Sequence, residues 1–297
     1  MADIKKRLST NVPGNFYVDA TCINCDTCRQ LAPLTFHEEG EYSAVVQQPE
    51  TDVERHHAYQ ALLACPVGSI GTSARSENTG LQDARASFPL HLDGGVYYCG
   101  FNSEKSFGAN SYFIEHPDGN WLVDSPRYVG HLVQAFEAMG GLRHIFLSHE
   151  DDVADAERYA RHFRARRIIH RADAEAAPGA ELLIEGHEPV SLAPEFLVIP
   201  VPGHTPGSQA LLYGRRYLFS GDHLWWDRDA AALGMPARLV WNHDALLVSG
   251  ERLLTHRFEW VLPGHGDRIH RPAEELHASL RAMLDRRRAA PPSHRDW

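Results

Sequence analysis

The sequence predicts two domains, a small cysteine-containing domain followed by a larger, layered α/β domain. Four of the five cysteines fall between residues 10 and 75. The segment 73–87 is polar and lacks apolar periodicity, which is typical of a linker. From Phe88 onward, apolar runs of strand length alternate with helical stretches, as in layered α/β domains. The predicted boundaries are 10–75 for the small domain, 76–87 for the linker, 88–285 for the larger domain and 286–297 for a basic, solvated tail.

Composition excludes several classes of protein. The 297 residues are 43% hydrophobic, which is enough for a core and excludes wholesale disorder. The net charge of −10 argues against nucleic acid or an anionic membrane as the main partner. No apolar run approaches 18 residues, and no apolar stretch follows the charged N-terminal residues, so we expect neither a membrane span nor a secretory signal. We expect a cytoplasmic protein.

Four apolar runs in the larger domain each end at a polar cluster. They lie at 145–147, 196–201, 217–219 and 260–262. The clusters that follow them contain five candidate functional residues: His149, Asp151, His204, Asp222 and His265. A helical spacing at 153–163 follows the first cluster. Loops at strand ends, supported by a rigid sheet, are frequent positions for functional side chains.

The cysteines form a pattern typical of metal ligands. Cys22, Cys25 and Cys28 are spaced as CxxCxxC, and Cys65 follows 37 residues later, directly before a proline. Clustered cysteines in a cytosolic chain indicate a metal site before disulfides, and this spacing is that of ferredoxins. Because four thiolates are available, one [4Fe–4S] cluster is favoured over [3Fe–4S]. A zinc site on the same cysteines is the alternative. Cys99 has no partner motif and is expected to be an ordinary buried thiol.

Three strings around these cysteines resemble a bacterial single-cluster ferredoxin. They are FYVD at 16–19, CINCDTC at 22–28 and CPVGSI at 65–70. The resemblance covers residues 14–73. It implies a small α+β module that transfers one electron at a time.

The larger part resembles the metallo-β-lactamase-fold family, which includes glyoxalase II, the persulfide dioxygenases and the flavodiiron proteins. The resemblance spans residues 90–270 and rests on GANSY at 108–112, WLVDS at 121–125 and PGHTPGS at 202–208, with the other strand-end loops in the family's order. It implies a four-layer αββα sandwich with metals at one edge of the sheets.

The first metal motif of that family, HxHxDH, is altered in this chain. His149 is kept, but Asp151 stands at the second histidine position. Val153 and Ala154 stand at the aspartate and the last histidine, and neither side chain can bind a metal. A full dinuclear centre is therefore not expected.

The resemblance implies a mononuclear site of His149, His204 and Asp222, with Asp151 as a possible fourth ligand. Two histidines and one carboxylate form the facial set that is associated with non-haem iron, and the persulfide dioxygenases are similar in using it. For a second ion the resemblance leaves only Asp222 and His265, and His265 could instead orient a ligand or substrate.

Other roles compete for several of these side chains. Asp151 could cap a helix that begins near Asp152. Asp152 and Asp155 are expected to be first-turn carboxylates favoured by the helix dipole, although either could reach a metal. His170 and His223 are expected to be structural or to face the substrate.

We therefore expect an oxidoreductase in which one [4Fe–4S] cluster exchanges electrons with a mononuclear iron, with Asp222, His204, Asp151 and His265 as candidate catalytic residues. The expected partners are a redox protein or reductase and a small-molecule substrate, without nucleic acid or membrane. One alternative is a mononuclear zinc hydrolase of esters, thioesters or lactones with a structural or sensing cluster. A second is a non-enzymatic electron carrier with a degenerate metal pocket.

Overall fold

The computed structural model describes residues 2–73 and 78–289. By its internal contacts the chain divides into two compact units. The first comprises Met1–Arg143 and Ala154–Ala165, and the second comprises His144–Val153 and Arg166–Trp297. The predicted linker at 76–87 therefore falls inside the first unit. None of the helices within 2–73 and 78–289 combines the length and apolar character needed to cross a membrane.

The first unit begins with a small α+β arrangement, as predicted. Strand β1 pairs antiparallel with β4, and β2 pairs antiparallel with β3. Thr51 and Glu54 form a capping box that fixes the start of α2. The elements are β1 (Phe16–Val18), α1 (Thr27–Leu31), β2 (Phe36–Glu39), β3 (Tyr42–Val45), α2 (Asp52–Ala64), β4 (Ile70–Thr72) and α3 (Asn78–Ala86), after a short 3₁₀ turn at Ile4–Lys6.

The segment that we predicted as an irregular linker is helical over most of its length, because it forms α3. Ala84 is fully buried, and Gln60 of α2 donates a hydrogen bond of 2.9 Å to Ser87 just beyond the helix. Only Leu81 and Ala84 form an apolar stripe in this segment. A two-residue stripe is too short to reveal a helix in the sequence, so contact with α2 decides its conformation.

The rest of the first unit is an antiparallel meander with two helices. Its strands are β5 (Leu90–Asp93), β6 (Val96–Tyr98), β7 (Tyr112–Ile114) and β8 (Trp121–Val123), each paired with the next. Helix α4 spans Gly130–Ala138 and α5 spans Ala156–Phe163, and a 3₁₀ turn occupies Glu104–Ser106. Phe136 of α4 stacks on Phe113 of β7 at a ring separation of 4.9 Å, which fixes this core.

The second unit contains a parallel group and a six-stranded sheet. The parallel group is β9 (His144–Phe146), β10 (Arg166–His170) and β11 (Leu182–Ile184). The sheet has the order β12-β13-β14-β15-β18-β19. Its strands are β12 (Val190–Ala193), β13 (Phe196–Pro200), β14 (Gln209–Tyr213), β15 (Tyr217–Gly221), β18 (Trp260–Pro263) and β19 (Ile269–His270). The second unit also contains a hairpin, two helices and two 3₁₀ turns. They are β16 (Trp225–Asp227) with β17 (Ala232–Gly234), α6 (His243–Leu253), α7 (Ala273–Ala289) and the turns Glu150–Asp152 and Arg171–Ala176.

Sheet topology places three of the four polar clusters at one edge. Strand β15 is parallel to β18, and β13 is antiparallel to β14, which is in turn antiparallel to β15. The carboxyl ends of β13, β15 and β18 therefore face the same edge. The loop after β9 lies at the same edge, because Gln209 at the start of β14 donates hydrogen bonds of 2.8 Å to the Leu147 and Ser148 carbonyls. The four predicted strands are thus confirmed.

Two helix ends differ from prediction. Helix α5 begins at Ala156, later than the spacing suggested, because Ala154 has a positive φ of 35° that interrupts the helical path. Helix α7 extends to Ala289, so residues 286–289 of the predicted solvated tail are helical, and Arg287 donates a 2.6 Å hydrogen bond to the Met235 carbonyl. The remaining tail, 290–297, lies outside the described residues.

Asp155 gives a testable pH dependence of stability. Burial raises its pKa, but the ammonium of Lys105 at 2.7 Å and the Tyr128 N–H at 2.9 Å outweigh burial, so the pKa lies below its usual value. Ionised Asp155 therefore contributes to the free energy of unfolding. This contribution is full above about pH 4 and is lost as the pH falls through the depressed pKa. We expect Asp155→Asn to lose about 1–2 kcal/mol at pH 7 and a smaller amount at pH 3. Unfolding at both pH values measures this. Glu157→Gln is the control, since its pairing with Arg161 is exposed, and an equal loss there would contradict the assignment.

Candidate metal centres

Four of the five cysteines of the first unit surround one cavity. Cys28 lies in α1 and Cys65 follows α2 directly, while Cys22 and Cys25 lie in the loop before α1. The other walls of the cavity are mainly apolar, from Val18, Ile23, Val67 and Ile70. All five cysteines are free thiols, and Cys99 is fully buried elsewhere, as expected.

Polar groups around the cavity fit a cluster held by thiolates. The Asn24 N–H lies 3.4 Å from Cys22 Sγ, and the hydroxyls of Thr27 and Ser69 lie 3.4 Å from Cys25 Sγ and Cys65 Sγ. Donors to sulfur stabilise the negative charge of a cluster. Burial raises the pKa of Cys25 to about 11 and raises that of Cys28 further. The thiolate forms therefore need the positive charge of a metal to be stable here.

The second unit brings together the four side chains predicted for a mononuclear site. Asp151 Oδ2 lies 3.2 Å from His204 Nε2 and 3.7 Å from His149 Nε2. Asp222 Oδ2 lies 3.7 Å from each of these two nitrogens. Ligands bound at 2.0–2.2 Å to one tetrahedral ion lie about 3.3–3.6 Å apart. The ligand atoms of His149, His204 and Asp222 all lie within 4.8 Å of one another and therefore have the spacing of one metal's ligand set, and the exposed carboxylate of Asp151 lies beside the two histidines.

The charges of this site suit a cation. Burial lowers the pKa of His149, whose Nδ1 is fixed at 2.9 Å from Ser148 Oγ, so Nε2 of a neutral ring faces the site. Burial opposes a charge on His204, but the hydrogen bond with Asp151 and the charge of Asp222 outweigh it and raise its pKa. Burial also opposes ionisation of Asp222, yet the surrounding histidines hold its pKa well below its usual value. Asp222 is therefore an anion in need of a positive partner.

Asp151 lines this site and does not cap a helix. Helix α5 begins at Ala156, with Asp155 at its N-cap position. The hydrogen bond that the side chain of Asp151 makes with His204 points it toward the histidines. The structure thus places Asp151 where the family resemblance puts a histidine.

A second group of donors lies beside the first. Asp152, Asp222 and His265 offer ligand atoms that all lie within 4.8 Å of one another. Asp152 is fully buried, and His265 Nδ1 lies 2.9 Å from both carboxylate oxygens of Asp222. Asp152 therefore joins Asp222 and His265 as a ligand candidate, a role that the sequence leaves open beside that of a first-turn carboxylate. It stands one position before the motif's aspartate, in a run of three acidic residues.

Gly264 keeps space open beside the second group. A Cβ at this position would lie 2.6 Å from both Asp152 Oδ2 and Asp222 Oδ1. Real Cβ atoms do not approach so closely, so any larger residue would displace the two carboxylates. The Pro-Gly-His order after β18 thus supplies both a ligand candidate and the space beside it.

Two other predicted histidines stay outside the donor groups. His170 Nε2 lies 2.9 Å from the Gly186 carbonyl, and its Nδ1 accepts the Ala172 N–H, which is a structural role. His223 is buried, and burial lowers its pKa to about 3. Within the part of the chain that the structure describes, neither ring nitrogen of His223 has a hydrogen-bond partner.

Asp173 connects two of the metal loops and was not found from the sequence. It is buried and lies in the 3₁₀ turn after β10. Its carboxylate accepts hydrogen bonds from the Glu150 N–H at 3.1 Å, the Thr205 hydroxyl at 2.5 Å and the Gly207 N–H at 2.8 Å. One carboxylate therefore fixes the loops that present His149 and His204.

These features define a protein with an iron–sulfur type cysteine site and a separate histidine–aspartate metal site. Residues 18–72 match the family model of the 4Fe-4S single cluster domain of Ferredoxin I. Residues 90–284 match that of the metallo-beta-lactamase superfamily. The chain belongs to the metallo-beta-lactamase superfamily and carries a single-cluster ferredoxin domain at its N-terminal end. The predicted fold class and family resemblance are confirmed.

Individual relatives support the fold. The uncharacterized protein YobT of Bacillus subtilis (strain 168) is 26% identical over 209 residues, which are 59% of this chain and 90% of YobT. The metallo-beta-lactamase family protein TTHA1429 from Thermus thermophilus matches with a TM-score of 0.50 at 17% identity, over 67% of this chain and 81% of its own. DIM-1 metallo-beta-lactamase matches with a TM-score of 0.50 at 14% identity, over 66% and 95%.

The space beside Gly264 can be tested with Gly264→Ala. We expect the purified variant to lose most of the metal bound outside the cysteine domain, since the new methyl group displaces Asp152 and Asp222. Elemental analysis measures the loss. Gly130→Ala is the control, because a Cβ there meets no atom within 4 Å, and it should keep its metal. Full metal content in Gly264→Ala would show that Asp152 and Asp222 do not bind metal together.

The role of Asp173 can be tested with Asp173→Asn, which cannot accept all three hydrogen bonds. We expect metal affinity at the His149 and His204 site to fall about 10–100-fold, the usual effect of removing a group that orients ligands. Competition with a chelator measures the affinity. Asp227→Asn is the matched control, since Asp227 also accepts two backbone N–H groups but in an exposed turn. An unchanged affinity in Asp173→Asn would refute the role.

Proposed function

We propose that this chain is a metal-dependent oxidoreductase that exchanges electrons between a [4Fe–4S] cluster on its four cysteines and an iron centre on His149, His204, Asp222 and Asp151. The observation that supports this proposal most directly is the position of Asp151. Its carboxylate takes the place of an imidazole, 3.2 Å from His204 Nε2. The donor set thereby becomes two nitrogens and two anionic oxygens.

The choice of iron follows from these donors. Carboxylate oxygens are harder ligands than imidazoles, and two histidines with one carboxylate form the set associated with non-haem iron. Catalytic zinc is bound by three histidines or by two histidines and one glutamate, so it is the second carboxylate, Asp151, that distinguishes this donor set from those of zinc. The presence of a cluster domain in the same chain supports a redox role, because a ferredoxin-type cluster supplies single electrons.

The side chains around the site have separate tasks. Ser148 fixes the His149 ring so that Nε2 is available. His265 Nδ1 fixes both oxygens of Asp222, and Asp152 adds a buried carboxylate to the same side. When bound, iron supplies a one-electron redox change and open positions for O2 or for a small oxidised or sulfur-containing substrate. The donors of Asp152, Asp222 and His265 extend the proposal to a second ion.

A redox partner is part of the proposal. A single cluster stores one electron and must receive or deliver it, so we propose a reductase or redox protein as partner and a small molecule as substrate. We further propose that the protein acts in the cytoplasm, where free thiols persist.

Hydrolysis is the second candidate, and one observation favours it. Asp222 belongs to both donor groups, as the bridging ligand of a two-metal hydrolytic centre would. In this case zinc would be the metal, the substrates would be esters, thioesters or lactones, and the cluster would be structural or sensing.

Metal analysis of protein purified without oxygen decides between these functions. About five or six Fe per four acid-labile sulfides would support the oxidoreductase. About four Fe with one or two Zn, and activity independent of reductant, would support the hydrolase. About four Fe with no other metal would leave an electron carrier.

His204→Ala should abolish turnover and keep the cluster's EPR signal, and loss of that signal would contradict separate sites.

Asp151 can be tested by changing only its donor atom. We expect Asp151→His to shift the bound metal from iron toward zinc, and Asp151→Asn to lower metal affinity at least tenfold, because an anionic ligand is lost. Elemental analysis after growth with equal iron and zinc measures both effects. Glu150→Gln, the neighbouring acidic position, is the control. The same iron content in all four proteins would show that Asp151 is not a ligand.

A further inference from the structure

The environment of the cluster cysteines includes a loop outside the ferredoxin match at 18–72. This loop, residues 102–108, joins β6 to β7 within the first unit. Gly108 has a φ of +88°, and a Cβ there would lie 3.0 Å from Cys25 Sγ and 3.1 Å from Pro66 Cγ. The backbone at Gly108 therefore lies directly against a cluster ligand, and glycine permits both the conformation and the close approach.

Asn102 fixes this loop to the ferredoxin domain. It is fully buried, and its Nδ2 donates to the Gly108 carbonyl at 2.7 Å and to Thr27 Oγ1 at 3.1 Å. The hydroxyl of Tyr98 donates to its Oδ1 at 2.7 Å, which sets the orientation of the amide. The backbone N–H of Asn102 also donates to the Ala64 carbonyl at 3.1 Å, beside Cys65.

Thr27 has one hydroxyl proton and two acceptors for it. Its Oγ1 accepts from Asn102 and, when Cys25 is a free thiol, from the Cys25 S–H at 3.4 Å. A cluster-bound thiolate has no proton to donate, so the Thr27 proton is then directed either to the Gly108 carbonyl at 3.3 Å or to Cys25 Sγ. Thr27 is 1% exposed, so water does not compete for this proton. More negative charge on the sulfur favours the hydrogen bond to Cys25 over that to Gly108.

We propose that Thr27 and Asn102 are positioning residues that set the reduction potential of the cluster and connect its charge to the 102–108 loop. One electron arrives from the redox partner and adds one negative charge to the cluster and its sulfurs. The Thr27 hydroxyl then donates its hydrogen bond to Cys25 Sγ, so the Gly108 carbonyl accepts a hydrogen bond from Asn102 but not from Thr27. The proton stays covalently bound to Thr27 throughout, so no proton is released.

The direction of the effect follows from the charge. A hydrogen bond to sulfur stabilises the reduced, more negative cluster and raises its reduction potential. Asn102 strengthens this effect, because its donation to Oγ1 occupies a lone pair and directs the hydroxyl proton away from the amide. The potential is therefore set partly by residues outside the ferredoxin match. This inference depends on the cluster only and holds whether the second unit binds iron, zinc or no metal.

The first experiment compares the full-length wild type with Thr27→Val and Thr27→Ser, using redox titration followed by EPR. Thr27→Val keeps the shape of the side chain and removes the hydroxyl, so we expect a more negative potential at an unchanged content of four Fe and four sulfides. Thr27→Ser keeps the hydroxyl, and we expect a potential near that of the wild type. A wild-type potential in a Thr27→Val protein that holds its cluster would overturn the proposal.

A second pair of variants tests whether the 102–108 loop affects the reduction potential. This pair also tests the proposal if Thr27→Val does not bind the cluster. Asn102→Ala should shift the potential in the same negative direction. Asn120→Ala is the matched control, because Asn120 is a buried amide of the same unit that donates at 2.8 Å to the carbonyls of Met139 and Gly141 and touches no cysteine. Equal potentials in these two variants would refute the role of Asn102, since a general loss of stability would affect both alike.

Discussion

The half-buried carboxylate of Asp222 is the constraint on which the second unit depends. It lies at the end of β15, 3.7 Å from the Nε2 atoms of His149 and His204 and 2.9 Å from Nδ1 of His265. A carboxylate removed from water needs positive charge or hydrogen-bond donors nearby. Strand order satisfies this need, because it places the ends of β13, β15 and β18 at one edge. The loops after β13 and β18 turn His204 and His265 toward Asp222, and the loop after β9 adds His149.

The two metal sites of the chain differ in kind, and each environment matches its donors. The cysteines lie around a cavity with mostly apolar walls and a few hydrogen bonds to sulfur, which suits a cluster bound by soft thiolates. The histidine–aspartate site is polar, and its loops are fixed by further polar groups such as Ser148 and Asp173. Donor type alone therefore separates the two sites chemically.

Much of this arrangement could be predicted from sequence because it depends on local patterns. The spacing of Cys22, Cys25 and Cys28 and the apolar runs that end at His204 and Asp222 are visible without a structure. Patterns that involve few residues were not recognised. The helix α3 shows only a two-residue apolar stripe, and the start of α5 depends on one positive φ at Ala154. Such features are decided by contacts and backbone angles that a residue pattern does not encode.

The sequence by itself determined the family, the cysteine pattern and the loops that present His149, His204, Asp222 and His265. The tertiary structure alone decided the roles of two aspartates in one short segment. Asp152 lies with Asp222 in the second donor group, whereas Asp155 pairs with Lys105 and the Tyr128 N–H. Both are acidic residues before the same helix, and their residue type gives no distinction. The physical reason is backbone direction, since the 3₁₀ turn at Glu150–Asp152 and the positive φ at Ala154 decide where each side chain points.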